Sequence, residues 1–290
     1  RTEARLLMIT YDLRTIRRHV GKSLGDMALL EATAASTVNT FIDTNNLYIP
    51  DKMANGRIIY FMDGANDGLK RIVTDSTQGN FSVTFTPAVD AEPQIGDEAE
   101  LWRKRGMGFD PVSDVNAQIN NAIRRACQYA WVDDIFTIVS PTTFDPDSPR
   151  FAVPANTRGI HMVEYADTQN GNLWYPIPKS RDPSGPGWSI ERDAGGAYVV
   201  LGGDKSYQAR GATIRVRRYV DDQPLTTDSD ETTISLDWLL AEVKASLLEV
   251  AVDTNPKDGL TYSRWQTARE DSKMMRGSIG GRPMPDTVII

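Results

Sequence analysis

Two pairs of adjacent carboxylates, Asp133-Asp134 and Asp221-Asp222, are the side chains nearest in type to a hydrolytic acid and base. They follow a helix candidate and a strand candidate respectively, and successive side chains of a strand point to opposite faces, which suits a two-carboxylate site poorly. A second group of oxygen donors, Asp63, Asn66, Asp67, Asp75, Asp97 and Glu98, sits near turns, as calcium prefers. None follows the Asp-x-Asp-x-Asp-Gly spacing with its distant glutamate, and turn chemistry accounts for all of them. His19 and His161 have no second histidine at metal spacing and read as structural. The single cysteine, Cys127, excludes an internal disulfide framework and a multi-cysteine zinc site. It lacks a nearby base and reads as a half-buried thiol in the helical stretch Asn120 to Trp131. Gly106 and Gly108 lack a third glycine and a preceding strand, while Gly195-Gly196 and Gly202-Gly203 read as hairpin turns, so no phosphate cradle is expected. Trp174, Tyr175, Trp188 and Tyr198 could stack on sugar rings beside an acid such as Glu164 or Glu191. Packing uses the same aromatics more often. We expect no enzyme, no metal and no cofactor.

Composition sets the frame for these residues. With 290 residues, of which 40% are apolar, the chain has room for two or three modules with their own cores. No apolar run reaches the ~18 to 20 residues that span a bilayer, and no charged-then-apolar signal opens the chain, so a soluble product of a reducing cytoplasm without membrane contact is expected. The chain opens on Arg1, which leads us to expect an upstream stretch. The net charge of −7 argues mildly against a dedicated nucleic-acid binder. It conceals a pattern: a basic start (Arg1, Arg5, Arg14, Arg17, Arg18, Lys22), an acidic stretch from Asp90 to Glu100, and a basic end (Arg264, Arg269, Lys273, Arg276, Arg282). Patches of opposite sign suit head-to-tail contact between copies, although solvated faces are the simpler explanation.

The helical elements follow from periodicity. Leu13, Ile16, Val20 and Leu24 recur at three- and four-residue steps, predicting a helix capped by Thr10 and ended by Gly25, with Arg14, Arg17, Arg18 and Lys22 facing away from its packed stripe. A second helix opens at Pro111 and is expected to run to about Val132 on Val112, Val115, Ile119, Ala122, Ile123, Ala126 and Ala130. Two more are expected near the end, one from Leu236 with Leu239, Leu240, Val243, Leu247, Leu248 and Val252 on its apolar face, and one from Tyr262 to Met275. The tail from Gly277 carries Val288, Ile289 and Ile290, an end apolar enough to act as an extended arm on a partner.

Between the first two helices the composition turns β-branched and aromatic. Strands are predicted at Val38 to Asp43, Arg57 to Met62, Leu69 to Thr74, Phe81 to Thr86 and Asp97 to Trp102, making a small barrel or sandwich. A second β region is expected from Phe151 to Val220.

The order of short phrases through the first β region carries a resemblance. Asn55-Gly56-Arg57-Ile58-Ile59-Tyr60 is followed by Gly68-Leu69-Lys70-Arg71-Ile72-Val73-Thr74, then Phe85-Thr86-Pro87-Ala88, then Ile95-Gly96-Asp97-Glu98-Ala99-Glu100-Leu101-Trp102. The run Val115 to Ala126, with its Ile-Asn-x-Ala character, comes next. In this order the chain resembles the head-to-tail adaptor (connector) proteins of tailed bacteriophages, and the phrase Phe151 to Asn156 ahead of Ile160 to Tyr165 is similar to a phage structural-protein pattern. The resemblance implies an α+β fold in which a helical bundle core (1–30, 107–135 and 232–276) carries two inserted small β-barrel or sandwich modules (31–106 and 136–231), with an extended C-terminal arm (277–290). It further implies a virion protein of the neck, a ring of about twelve copies that joins the portal protein to the tail or tail-completion protein and continues the DNA channel. Tail fibres would be a further partner. Arg14, Arg17, Arg18 and Lys22 would touch DNA or an acidic neighbour, and Val288, Ile289 and Ile290 would form the partner arm. The alternative is a glycan-binding, tail or collar component, with a tail completion or terminator ring as the nearer variant.

Overall fold

A computed structural model of the protein describes residues 10–103, 109–138, 150–166, 173–180, 186–202, 213–254, 257–279 and 282–283. The chain divides into two compact units, Arg1–Ile123 with Pro224–Ile279, and Arg124–Gln223 with Gly280–Ile290. Val288, Ile289 and Ile290 lie outside the described residues.

In chain order, strand β1 (Tyr11–Asp12) leads into helix α1 (Leu13–Leu24). Strands β2 (Met27–Glu31), β3 (Thr40–Ile42), β4 (Ile58–Phe61), β5 (Lys70–Thr77), β6 (Ser82–Thr86) and β7 (Glu98–Trp102) follow. A π-helical turn at Pro111–Asn116 runs into helix α2 (Ala117–Ala126). Then come β8 (Ala130–Ile138), β9 (Arg150–Ala152), β10 (Thr157–Ala166), β11 (Trp174–Ile177), β12 (Gly187–Asp193), β13 (Gly196–Gly202), β14 (Thr213–Val220) and β15 (Glu231–Thr232). Helices α3 (Leu236–Thr254) and α4 (Gly259–Met274) and strand β16 (Arg282–Pro283) complete the order.

The first unit is organised around a six-stranded antiparallel sheet in the order β2-β7-β4-β5-β6-β3, curled into a half-barrel. All five predicted strands are present, and β2 joins them from a stretch expected to belong to the helical part. Alternation explains the inner face: Ile59, Phe61, Val73, Val83, Phe85, Ala99 and Leu101 fill one core with Phe41 and Leu47. Phe61 sits edge-on between Phe41 and Phe85, at 6.1 and 5.4 Å between ring centroids. At one end the two edge strands meet, because Thr33 N donates to Ile42 O at 3.0 Å. Asp43, fully buried, fixes that closure: its carboxylate accepts the backbone N–H of Glu31, Asn45 and Asn46 and the side-chain amide of Asn46, at 2.9 to 3.0 Å. Asp43→Ala orphans these donors and is expected to destabilise the first unit by about 1–3 kcal/mol, read as a lowered urea midpoint.

Helix α1 lies on the outer face of β4 and β7. This is why Tyr60, Glu100 and Trp102, which alternate away from the barrel core, are nevertheless buried. The close approach needs Gly21, where a Cβ would stand 2.6 Å from both Met27 Cβ and Trp102 Cη2. The N-cap is Asp12 rather than Thr10, its Oδ1 accepting Thr15 N at 2.6 Å, and Gly25 ends the helix at φ 73°. Helix α3 buries residues on most of its surface, including Trp238, Leu239, Val243, Leu247 and Leu248, and α4 forms a hairpin with it through the small residues Thr261, Ala268 and Ser272.

The helical bundle core expected from sequence is not found. Among the described residues there are four α-helices against sixteen strands, and each unit holds a strand-lined core. The physical reason is that α1 divides its packing between α3, the Pro111 turn and β2 instead of joining helices alone, while α2 is shorter than expected. It ends at Ala126 instead of near Val132, because the aromatic and β-branched run from Trp131 pairs as β8 with β14, Val132 opposite Val220 through Ile138 opposite Ile214.

The second unit pairs two sheets, one of five strands in the order β11-β10-β14-β8-β16 and one of three in the order β12-β13-β9. Their inward residues share one core: Val163, Ile177, Ile214 and Val216 from the first, Phe151, Trp188, Val199 and Leu201 from the second. Gly195 and Gly196 lie at the β12–β13 hairpin, with Asp193 opposite Gly196.

Candidate functional site

The densest charged cluster of the first unit lies under α1, and it is made by the fold rather than by any one segment. Arg17 sits on the face of α1 that meets the sheet and is 0% exposed. Its Nη1 and Nη2 donate to the two carboxylate oxygens of Asp228 at 2.6 and 2.8 Å, a bidentate pairing. Its Nε donates to Glu100 Oε2 at 3.0 Å, and the same oxygen accepts Trp102 Nε1 at 2.9 Å. The guanidinium lies 4.8 Å from the centre of the Tyr60 ring, and Nη1 reaches Asn116 Oδ1 at 3.4 Å. Arg18 bonds Glu98 and approaches Glu100 at 3.4 Å, while Arg14 bonds Met62 O and lies 3.8 Å from Asp228.

Three arginines therefore face three carboxylates drawn from α1, β7 and the loop before β15. Burial acts to lower the pKa of Arg17, but the hydrogen bond to Asp228 and the charges of Glu100 and Asp228 outweigh it and hold the guanidinium more firmly protonated than usual. Burial raises the pKa of Tyr60, and the negative charge of Asp228 adds to that effect. The cluster contains no nucleophile beside a base and no carboxylate held apart to exchange a proton with a substrate. Its chemistry is cohesion: it ties α1, the sheet, the Pro111 helix and the 228 loop to one point.

This placement corrects the outward orientation expected of Arg17, which sits within the buried stripe. Arg14 and Arg18, with side chains 31% and 20% exposed, belong to the same clamp. Lys22 alone of the four is exposed, at the C-terminal turn of α1 where the helix dipole favours a cation. The sequence does not single out Glu100 and Asp228 as partners of Arg17. The available signal was register: Arg17 stands four residues after Leu13 and three before Val20, inside the apolar stripe.

The aromatic platform is not assembled. Trp188 is 2% exposed in the second core, and Trp174 and Tyr175 are consecutive in β11 and point to opposite faces. Arg215 stacks 4.2 Å from the Trp174 ring, and Tyr175 packs on Tyr165 across the strand pair at 5.5 Å. Glu164 is buried against Arg215 and Arg217; burial pushes its carboxyl up, but these two cations win and hold it below the usual range. Glu191 pairs with Arg150 at 3.3 Å, whose guanidinium also lies 4.1 Å from the Tyr198 ring.

Several of the remaining candidates are also committed within the fold. Asp63 Oδ1 accepts Glu98 N, Asp97 accepts Gln94 N at 2.8 Å and Asp75 accepts Ser76 N at 2.9 Å. Burial, with the charges of Asp97 and Glu98, holds the Asp63 carboxyl above the usual range. Asp134 pairs with Arg218 and Asp221 with Arg158. Burial pushes the Cys127 thiol up to about 11, which leaves it protonated and unreactive at neutral pH. His19 is exposed on α1, and His161 packs on Tyr219 at 4.7 Å. Among the described residues no group of three or more His, Cys, Asp or Glu is placed to hold a metal ion, and no helix is long and apolar enough to cross a membrane. Gly106 and Gly108 lie outside the described residues.

No protein-family model matches the chain, and no curated protein matches it either.

Proposed function

We propose that this chain is a structural subunit of a phage head-to-tail adaptor, working as a ring of about twelve copies in the virion neck, with the portal protein on one side and a tail or tail-completion protein on the other. The observation that carries this reading is the order in which α1, the five strands bearing the resemblance and the helix opening at Pro111 follow one another. The arginine clamp suits such a role, since it holds that inserted sheet on α1. The function is mechanical, the copies joining two larger assemblies and continuing the channel between them. Because Arg14, Arg17 and Arg18 are tied to carboxylates, DNA contact through this face of α1 is no part of the proposal.

The test is the mass of the purified chain, alone and mixed with its portal protein, by light scattering and negative-stain imaging. A closed ring, free or seated on the portal, is the expected result. A chain that stays monomeric and ignores the portal defeats the reading.

A further inference from the structure

The five-stranded sheet of the second unit ends on β11 at one side and on β8 with β16 at the other. Strand β8 pairs with β14 from Val132 to Ile138, but β16 covers its far side only at Trp131 and Ala130. Among the described residues nothing pairs with that far side from Asp134 to Ile138. An open edge presents unpaired N–H and C=O groups, which folded proteins cover or blunt. Here the blunting is slight. Asp134 is the one charged residue of the stretch and is bonded to Arg218. After it come Ile135, 48% exposed, Phe136 packed on the second core, and the exposed Thr137, with no lysine, proline or glycine to interrupt them.

The chain carries a strand of fitting size. Asp286-Thr287-Val288-Ile289-Ile290 matches the open stretch in length, and four of its five residues are β-branched. Its lead-in already uses this edge: β16 runs antiparallel to β8, Arg282 opposite Trp131 and Pro283 opposite Ala130. That direction leads past Ala130 and away from Asp134. A copy therefore cannot lay its own 286–290 segment along its own open stretch.

We propose that the 286–290 segment of one copy adds as a strand to the β8 edge of the next, along Asp134–Ile138. Every strand pair of this sheet is antiparallel, and the same sense centres Val288 opposite Phe136. Ile289 then meets Ile135 and Thr287 meets Thr137 on the outer face, while Val288 extends the core side. The occupant is a second copy of this chain for three reasons. The edge calls for extended main chain, the lead-in of the segment pairs with β8 in that form, and the direction of β16 denies the rest of the edge to its own copy. Only Met284 and Pro285 separate β16 from the segment. They span about 10 Å, so neighbours meet with the Ala130 end of one β8 beside the edge of the next. Such a contact is heterologous, and closes into a ring when its rotation does. It rests on the ring reading and assigns the surfaces that would build it.

The experiment measures assembly, alone and on the portal, for the wild type, a chain without residues 286–290, and Ile135→Lys. Both variants should raise the concentration needed for assembly by roughly tenfold or more, since several main-chain hydrogen bonds are lost or an edge is blunted by charge. Thermal melts below the assembly concentration should match the wild type, because Ile135 is half exposed and its main chain stays paired with β14. In a Cys127→Ser background carrying Ile135→Cys and Ile289→Cys, equal amounts of nitrogen-14 and nitrogen-15 chains are oxidised together. Disulfides joining a light 135 to a heavy 289, mapped by mass spectrometry, are the expected product. A wild type that assembles while both variants assemble equally well, or 135–289 links that are absent or confined to single chains, overturns this interface and leaves the ring reading standing. A wild type that assembles neither alone nor on the portal overturns both.

Discussion

Arg17→Met is expected to lower the unfolding free energy of the first unit by about 3–5 kcal/mol, the range for removing one partner of a buried ion pair. Methionine fills much of the same volume, so the loss reports charge rather than a void. What remains is Glu100, fully buried, and Asp228, facing each other without the guanidinium that bridges them. Arg17→Lys should recover only part, because one ammonium cannot make the two-pronged bond to Asp228 and still reach Glu100. Combining Arg17→Met with Glu100→Gln and Asp228→Asn should give back more than the lysine does, since it removes the stranded charges themselves. Denaturant unfolding followed by tryptophan fluorescence reads all three, Trp102 being bonded to Glu100. An Arg17→Met chain as stable as the wild type would mean that the clamp is not what holds α1 to the sheet.

The strands of the first unit were readable because each is short, alternating and bounded by turn residues, and because its inner face reads Val-x-Phe in β6 or Ala-x-Leu in β7 without interruption. Helix α1 was readable for the same kind of reason. What the local pattern could not convey was what lay on the other side. Glu98, Glu100 and Trp102 alternate outward from the barrel, and only the tertiary placement of α1 turns that polar face into an interior. Arg17 was assigned outward by its charge although its position in the stripe put it inward. Asp228, 211 residues away in sequence, gave no local sign of being its partner. The misjudged end of α2 has another cause. Ala130 continues the helical spacing, but the residues from Trp131 onward gain more by pairing with β14 than by another helical turn, and that competition is decided by a strand some 80 residues later. The bundle expected as the core failed by the same logic: apolar helix stripes show that a helix packs, but not that its partners are helices alone, and α1 touches both α3 and β2.

Trp188→Ala separates a packing role from a ligand role for the aromatic residues of the second unit. Trp188 is 2% exposed and packs among Phe151, Val199, Leu201, Ile214 and Val216, so truncation leaves a cavity at the junction of both sheets. The expected cost is about 3–5 kcal/mol, as for other buried tryptophans reduced to alanine. The backbone there is also committed, Trp188 N to Pro178 O at 2.9 Å and Ser180 N to Trp188 O at 2.7 Å, so the loss should spread to β11 and its neighbour. Hydrogen exchange followed by mass spectrometry localises it: peptides of β12, β13 and β14 should lose protection, while those of β4 to β7 in the first unit keep theirs. Tyr175→Ala provides the contrast, since that ring is 37% exposed and its loss should stay within about 1 kcal/mol. If Trp188→Ala left protection intact and instead abolished binding to a glycan array, the tryptophan would be a stacking surface. The burial of its ring among the residues of two sheets predicts the opposite result.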